Sequence, residues 1–174
     1  AINALSADLV VKKYKGDKFK VSHTKKLLKL EKNFDAVLIG NGIGLNSKTF
    51  VKRYVKESKK PLVIDADAIK SVRLQDCTNA ILTPHAKELE VLLKNSGLNL
   101  GNYRKNMGEN IILLKGKVDQ VITRSKMVFN KTGNPGMTKA GTGDVLAGLC
   151  VGFLGQGLSF YDSAKNAAYI NGKI

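Results

Sequence analysis

Short, continuous apolar runs recur along this chain, and each ends in a polar or glycine-bearing step. Residues 35–39 run into Gly40-Asn41-Gly42-Ile43-Gly44, and residues 61–64 into Asp65-Ala66-Asp67. Ala80-Ile81-Leu82 is followed by Thr83-Pro84-His85, and residues 110–114 by Lys115-Gly116. Runs of this length, bounded by turn residues, predict buried strands. A further strand is predicted over 8–14, centred on Leu9-Val10-Val11. Between the runs the apolar spacing changes to a helical one. Helices are predicted over 25–32, entered by Ser22 or Thr24 as a cap, and from a Ser47 cap to about 57. The latter carries Phe50, Val51, Tyr54 and Val55 at helical spacing. Residues 86–95 predict another, with Leu89, Leu92 and Leu93 on one face. Residues 120–123 and 126–129 read as a hairpin turning at Arg124-Ser125. Two helices, over 142–154 and 160–171, close the chain.

Strands that are apolar throughout, alternating with helices, predict a mainly parallel sheet covered on both faces. The expected fold is therefore a three-layer α/β sandwich, with the hairpin as antiparallel strands toward one edge. At 174 residues this is a single domain. The chain shows no internal repeat and no low-complexity linker. Residues 1–7 read like the tail of a helix already under way, and Ile174 falls inside an apolar-periodic pattern. The chain therefore reads as a piece of a longer protein.

Composition narrows the function classes. The 43% hydrophobic and 25% charged contents are those of a globular protein. No apolar stretch approaches the roughly 20 residues that cross a bilayer, and no secretory signal pattern opens the chain. Cys77 and Cys150 stand far apart without CxxC spacing, which reads as reduced, structural thiols of a cytoplasmic protein. The net charge is +15; of 29 basic residues only Arg53, Arg73, Arg104 and Arg124 are arginine, leaving 25 lysines. That excess suggests a nucleic-acid-binding module. The lysines are spread along the chain, however, and no aromatic-rich RNA motif appears, so the excess reads instead as a thermophilic source or as attraction for anionic substrates.

The candidate chemistry gathers after the strands, where parallel sheets bind ligands. Gly40-x-Gly42-x-Gly44 fits a dinucleotide fingerprint poorly. It reads either as a tight turn or as backbone that a bulky ligand approaches. Asp65 and Asp67 suit magnesium or a substrate hydroxyl, and equally suit helix capping. His85 is either structural or a substrate contact, and Glu88 either completes a helical turn or neighbours a metal. Lys115-Gly116-Lys117 offers a cation for a nucleotide phosphate, or only a solvated turn.

The strongest signal is the loop 133–148, which holds five glycines and the order Gly141-Thr142-Gly143-Asp144 before an apolar helix. First-turn N–H groups of such a helix lack partners inside it and carry partial positive charge, which seats phosphate. An acid beside that seat is electrostatically awkward unless it takes a proton or holds a metal. Phosphoryl transfer follows as the expected chemistry.

Taken together, Gly40 to Gly44, Asp65-Ala66-Asp67-Ala68, Leu82-Thr83-Pro84-His85, Lys115-Gly116 and the loop 133–148 resemble the ribokinase-like superfamily. Within it they resemble the ADP- or ATP-dependent NAD(P)H-hydrate dehydratases. The resemblance implies repair of hydrated NADH and NADPH, with an adenine nucleotide phosphorylating the hydrate's hydroxyl before phosphate leaves. It implies that Gly44, His85 and Asp144 contact the hydrated dinucleotide. Lys115, Gly116, Lys117, Val118 and Asp119, with Gly141, Thr142 and Gly143, would hold the adenine nucleotide. Asp144 would be the catalytic base, and Mg2+ would bridge the phosphates, its protein ligands unassigned. A homo-oligomer is also implied, with neither nucleic acid nor membrane as partner. A ribokinase-like kinase acting on a sugar or vitamin-precursor hydroxyl is the alternative.

Overall fold

The computed structural model describes residues 10–133 and 141–173. Six strands form one sheet: β1 (Val37–Ile39), β2 (Leu62–Ile64), β3 (Ala80–Leu82), β4 (Ile111–Leu114), β5 (Asp119–Ile122) and β6 (Met127–Asn130), in that spatial order. The first four are parallel, in register Val37↔Leu62↔Ala80, and Ile81 pairs with Ile111. β5 and β6 pair antiparallel at the far edge. The helices are α1 (Thr24–Leu30), α2 (Lys48–Glu57), α3 (Ala66–Ile69), α4 (Ala86–Ser96), α5 (Thr142–Gly155) and α6 (Phe160–Asn171). Among the described residues no helix is long and apolar enough to cross a membrane.

The period-two geometry of a strand divides the core into two layers. Leu62, Ile64, Ala80, Leu82, Ile112 and Ile122 point toward α2, α3 and α4, packing with Phe50, Val51, Ile69, Leu89 and Leu92. Their neighbours Val63, Ile81, Leu113 and Val121 point the other way, toward α5 and α6. There Leu146, Ala147 and Cys150 meet Ala164, Ala167 and Ala168, whose small side chains let α6 lie close. With both faces covered, each central strand has no polar position to spare, which is why the apolar runs are continuous. Each fully buried Leu or Ile contributes about 1.5–3 kcal/mol. The three-layer arrangement and the edge hairpin are those expected from the sequence.

Three expectations need correction. Residues 10–14 of the strand predicted over 8–14 are irregular, and Val10 is 86% exposed. Among the described residues, Val10 and Val11 find no strand to pair with, and the segment is anchored instead by aromatic contacts among Tyr14, Phe19, His23 and Phe50. Ser47 does not cap α2 with its side chain. It sits at the end of a 3-10 turn, Leu45–Ser47, and its hydroxyl donates to Ile43 O at 3.0 Å and accepts from Phe19 N. Neither Ser22 nor Thr24 caps α1, because a 3-10 turn over Val21–His23 leads directly into it. The predicted helical tail over 1–7, residues 8–9 of that strand, and residues 134–140 of the glycine-bearing loop lie outside the described residues.

Candidate active site at the carboxyl ends of the parallel strands

The four parallel strands deliver one polar residue each to a common point. Asn41 follows β1, Asp65 follows β2, Thr83 follows β3 and Lys115 follows β4. Asp65 is the hub and is 1% exposed. Its Oδ1 accepts from Lys115 Nζ at 2.8 Å and from Thr83 Oγ1 at 2.8 Å. Its Oδ2 accepts from Asn41 Nδ2 at 2.9 Å. A buried carboxylate survives only when paired and hydrogen-bonded, and Asp65 has both kinds of partner. Asp65 therefore does not cap α3, nor does its side chain await a ligand. The residue after it, Ala66, has φ 48°, a left-handed conformation uncommon for a residue with a Cβ.

Gly40 explains why these strand ends meet so closely. It has φ 133°, and a Cβ there would stand 1.8 Å from the carbonyl oxygen of Asp65. The backbones after β1 and β2 touch at this point, and Asp65 N donates to Ile39 O at 3.0 Å. Gly40 thus serves a close strand-end contact rather than a ligand. Gly42 and Gly44, with φ 69° and 75°, have nothing within 4 Å of where a Cβ would project.

Asp144 arrives from the opposite layer. It is the third residue of α5, exposed, and its Oδ1 accepts from Asn41 Nδ2 at 2.5 Å. Asn41 thereby joins the buried carboxylate of Asp65 to the exposed carboxylate of Asp144. Gly141 is the N-cap of α5 and supplies no capping side chain. Gly143 lies beside Lys115, whose Nζ would be 3.5 Å from a Cβ built on that glycine. The expected nucleotide contacts Lys115 and Gly143 are therefore neighbours. The Lys115 ammonium is turned onto Asp65, with Glu88 Oε2 4.0 Å away.

His85 and Lys115 face one another across an isolated parallel bridge, with Lys115 N donating to Pro84 O at 2.8 Å. His85 is the N-cap of α4: its Nδ1 accepts from Glu88 N, while Glu88 Oε2 accepts from His85 N. Glu88 completes a helical turn, and His85 serves structure through one edge of its ring. The side chain is still 51% exposed to the crevice. Asp67 pairs with Lys70 at 3.0 Å. In the turn between β4 and β5, Gly116 N donates to Asp119 Oδ1 at 3.1 Å. Burial pushes the Asp119 carboxyl upward, partly offset by the Gly116 amide, Asn130 and Lys115. Asp119 faces into the protein and shapes the turn; Lys117 is exposed and Val118 half-buried. Gly44 stands at the outer end of the loop that carries Asn41, where Ser47 N donates to its carbonyl.

Two participants escaped the sequence reading. Thr83 looked like part of a turn, and Asn41 like a spacer between glycines. An amide between two glycines at a strand end is a default turn former, so only the meeting of strand ends reveals its role. The assembled site offers an exposed carboxylate at a helix N-terminus, held over a neutralised acid–lysine pair. It has the means to accept a proton beside a seat for an oxyanion.

A family model described as NAD(P)H-hydrate dehydratase matches residues 1–174. The chain is 35% identical over 189 residues to the bifunctional NAD(P)H-hydrate repair enzyme of Methanothermobacter thermautotrophicus, covering 99% of this chain and 36% of that enzyme. Among solved structures it superposes on a ribokinase-like superfamily protein from Enterococcus faecalis with TM-score 0.71 and 27% identity, over 87% of this chain and 58% of the other. It also superposes on the ADP/ATP-dependent NAD(P)H-hydrate dehydratase from Bacillus subtilis co-crystallised with ATP/Mg2+, with TM-score 0.62 and 26% identity, over 79% of this chain and 53% of the other. The chain thus spans about a third of the length of the repair enzyme and a little over half of each solved structure. Its sheet order, its strand-end site and these matches agree on the ribokinase-like fold, and the chain belongs to the NAD(P)H-hydrate dehydratase family.

Proposed function

We propose that the whole protein dehydrates hydrated NADH and NADPH at the expense of ADP or ATP. The observation that carries this reading is the carboxylate of Asp144 in the first turn of α5, suspended over the strand ends by Asn41. The hydrate's hydroxyl oxygen attacks the terminal phosphorus of the nucleotide, and its proton passes to Asp144. The new O–P bond forms as the nucleotide's own terminal P–O bond breaks. Phosphate then leaves with the C–O bond, and the neighbouring carbon releases a proton to restore the double bond. Phosphoryl transfer has a loose transition state, so positioning and charge stabilisation outweigh base strength. The amides of Gly141, Thr142 and Gly143 would face the migrating phosphoryl group. Lys115 to Asp119 would flank the nucleotide, and Gly44 and His85 the hydrated dinucleotide. The Bacillus subtilis relative lends support, having been co-crystallised with ATP/Mg2+.

Magnesium fits this donor set only as a passenger. Among the described residues no three or more His, Cys, Asp or Glu gather into a metal-binding group. Asp65 already accepts three hydrogen bonds, which leaves Asp144 as the crevice carboxylate that would face an ion. An ion that keeps several waters and binds mainly through phosphate oxygens needs no more. When bound it would neutralise phosphate charge. Two buried, free cysteines accord with a reducing, cytoplasmic setting.

The test is to incubate the full-length protein with hydrated NADH and either nucleotide and to follow recovery of NADH absorbance. Recovery that depends on nucleotide and drops to a slow residual rate in Asp144→Asn supports the reading. A stable phosphorylated product without NADH recovery would replace it with a small-molecule kinase. Light scattering of the same sample tests the homo-oligomer that the family implies.

A further inference from the structure

Asn41 spends both N–H bonds of one amide on two carboxylates from different layers of the fold. Nδ2 lies 2.9 Å from Asp65 Oδ2 and 2.5 Å from Asp144 Oδ1. We infer that Asn41 is the positioning residue for the Asp144 carboxylate, oriented in turn by the Asp65–Lys115 pair. This rests on the dehydratase reading above and adds to it a residue that acts through Asp144.

The argument follows from donor and acceptor counting. Asp65 Oδ1 is occupied by Lys115 and Thr83, so only Oδ2 faces Asn41. A carboxylate oxygen accepts, and therefore it selects the NH2 end of the Asn41 amide and repels the carbonyl end. With one N–H fixed on Asp65, the planar amide has its second N–H aimed in a single direction, where Asp144 Oδ1 sits. Lys115 makes this stable: without its positive charge, two carboxylates would share one neutral amide. With Oδ1 tethered, Asp144 presents Oδ2 as the oxygen open to a substrate hydroxyl. Gly40 sets the base of the device, since its contact with the Asp65 carbonyl brings the two strand ends to this spacing. A carboxylate held to one rotamer is worth more to catalysis than a mobile one, because small misplacements cost large factors in rate.

The test uses the full-length enzyme with hydrated NADH and nucleotide. Asn41→Ala is expected to lower kcat at least tenfold, with nucleotide KM within about threefold; the melting temperature falls by a few degrees, because Asp65 Oδ2 loses its donor while Oδ1 keeps Lys115 and Thr83. Asn41→Gln, which keeps the donor on a longer arm, recovers part of the loss. In single-turnover measurements with excess enzyme, Asn41→Ala costs nothing further in an Asp144→Asn background, since residues that act as one unit are not additive. An Asn41→Ala enzyme with wild-type kcat overturns the inference. So does an equal loss in both backgrounds, which would mark a general structural defect. A second measurement is independent of turnover. The Asn41 side-chain amide resonances should move in Asp144→Asn and stay in place in Asp67→Asn, and no response to the Asp144 change also overturns it. If the wild-type chain recovers no NADH while these resonances respond as expected, the proposed reaction fails and the positioning geometry stands.

Discussion

Lys115 and Asp65, fifty residues apart in sequence, meet at 2.8 Å beneath the crevice. The carboxylate is almost fully enclosed, and the lysine is the cation that neutralises it. Four strands and α5 converge on this pair, so stability and the candidate chemistry share one piece of structure.

Removing the cation should therefore cost more than a surface ion pair would. Lys115→Met leaves a buried charge without compensation, for which about 3 kcal/mol is expected. Adding Asp65→Asn should restore part of the stability, since a neutral amide needs no counter-charge. Urea denaturation of the two variants measures both effects. Equal destabilisation by the single and double changes would contradict the pairing.

Gly40→Ala should be among the most damaging single substitutions. The new methyl would overlap the Asp65 carbonyl, backbone that cannot swing aside, and would occupy a left-handed conformation as well. A loss beyond about 3 kcal/mol is expected. Gly42→Ala meets only open space and carries the left-handed strain of φ 69° alone, so it should cost about 1 kcal/mol. Chemical denaturation of the pair decides the matter.

His85 caps α4, and one substitution can separate that role from its proposed contact with the hydrate. Asparagine is an equally good N-cap, so His85→Asn should keep stability within about 0.5 kcal/mol. It removes the imidazole from the crevice, and KM for the hydrate is expected to rise about tenfold. Unchanged KM would leave His85 with its capping role alone.

The two thiols predict alkaline weakness. Both Cys77 and Cys150 are pushed up from 9.0 to about 12, first by burial and next by Asp76 and Asp65 respectively, with Lys115 opposing the shift at Cys150. The unfolded chain loses these protons near pH 9 while the folded chain keeps them. The stabilisation is therefore intact below pH 9 and is lost as pH rises toward 12. The limiting slope is about 1.4 kcal/mol per pH unit for each thiol. The urea midpoint should be lower at pH 10 than at pH 8.5, and Cys150→Ala should flatten the decline.

The apolar runs and their spacing specified the strands and helices, because burial on two faces leaves continuous apolar strands and one-sided helices. β3 was read to its ends, and the hairpin within a residue. Residues 10–14 of the strand predicted over 8–14 failed for the complementary reason. Val10 and Val11 have strand propensity, but pairing requires a partner edge that lies elsewhere in the chain. The Ser47 cap failed likewise, since its hydroxyl was claimed by Phe19, a residue 28 positions away.

Within the site, the sequence alone pointed to Gly141 to Asp144 as the expected seat of phosphate chemistry, because a glycine-bearing entry to a helix is a local feature. It also placed His85 and Lys115 at strand ends facing the crevice. Only the tertiary structure decided what those side chains hold. Lys115 turns onto Asp65, and Asn41 reaches an aspartate 103 residues away. Local periodicity reports which face of an element is dry. Pairings between side chains depend on how strands line up in space, and that alignment is fixed by contacts such as Gly40 against the Asp65 backbone, which no local pattern records.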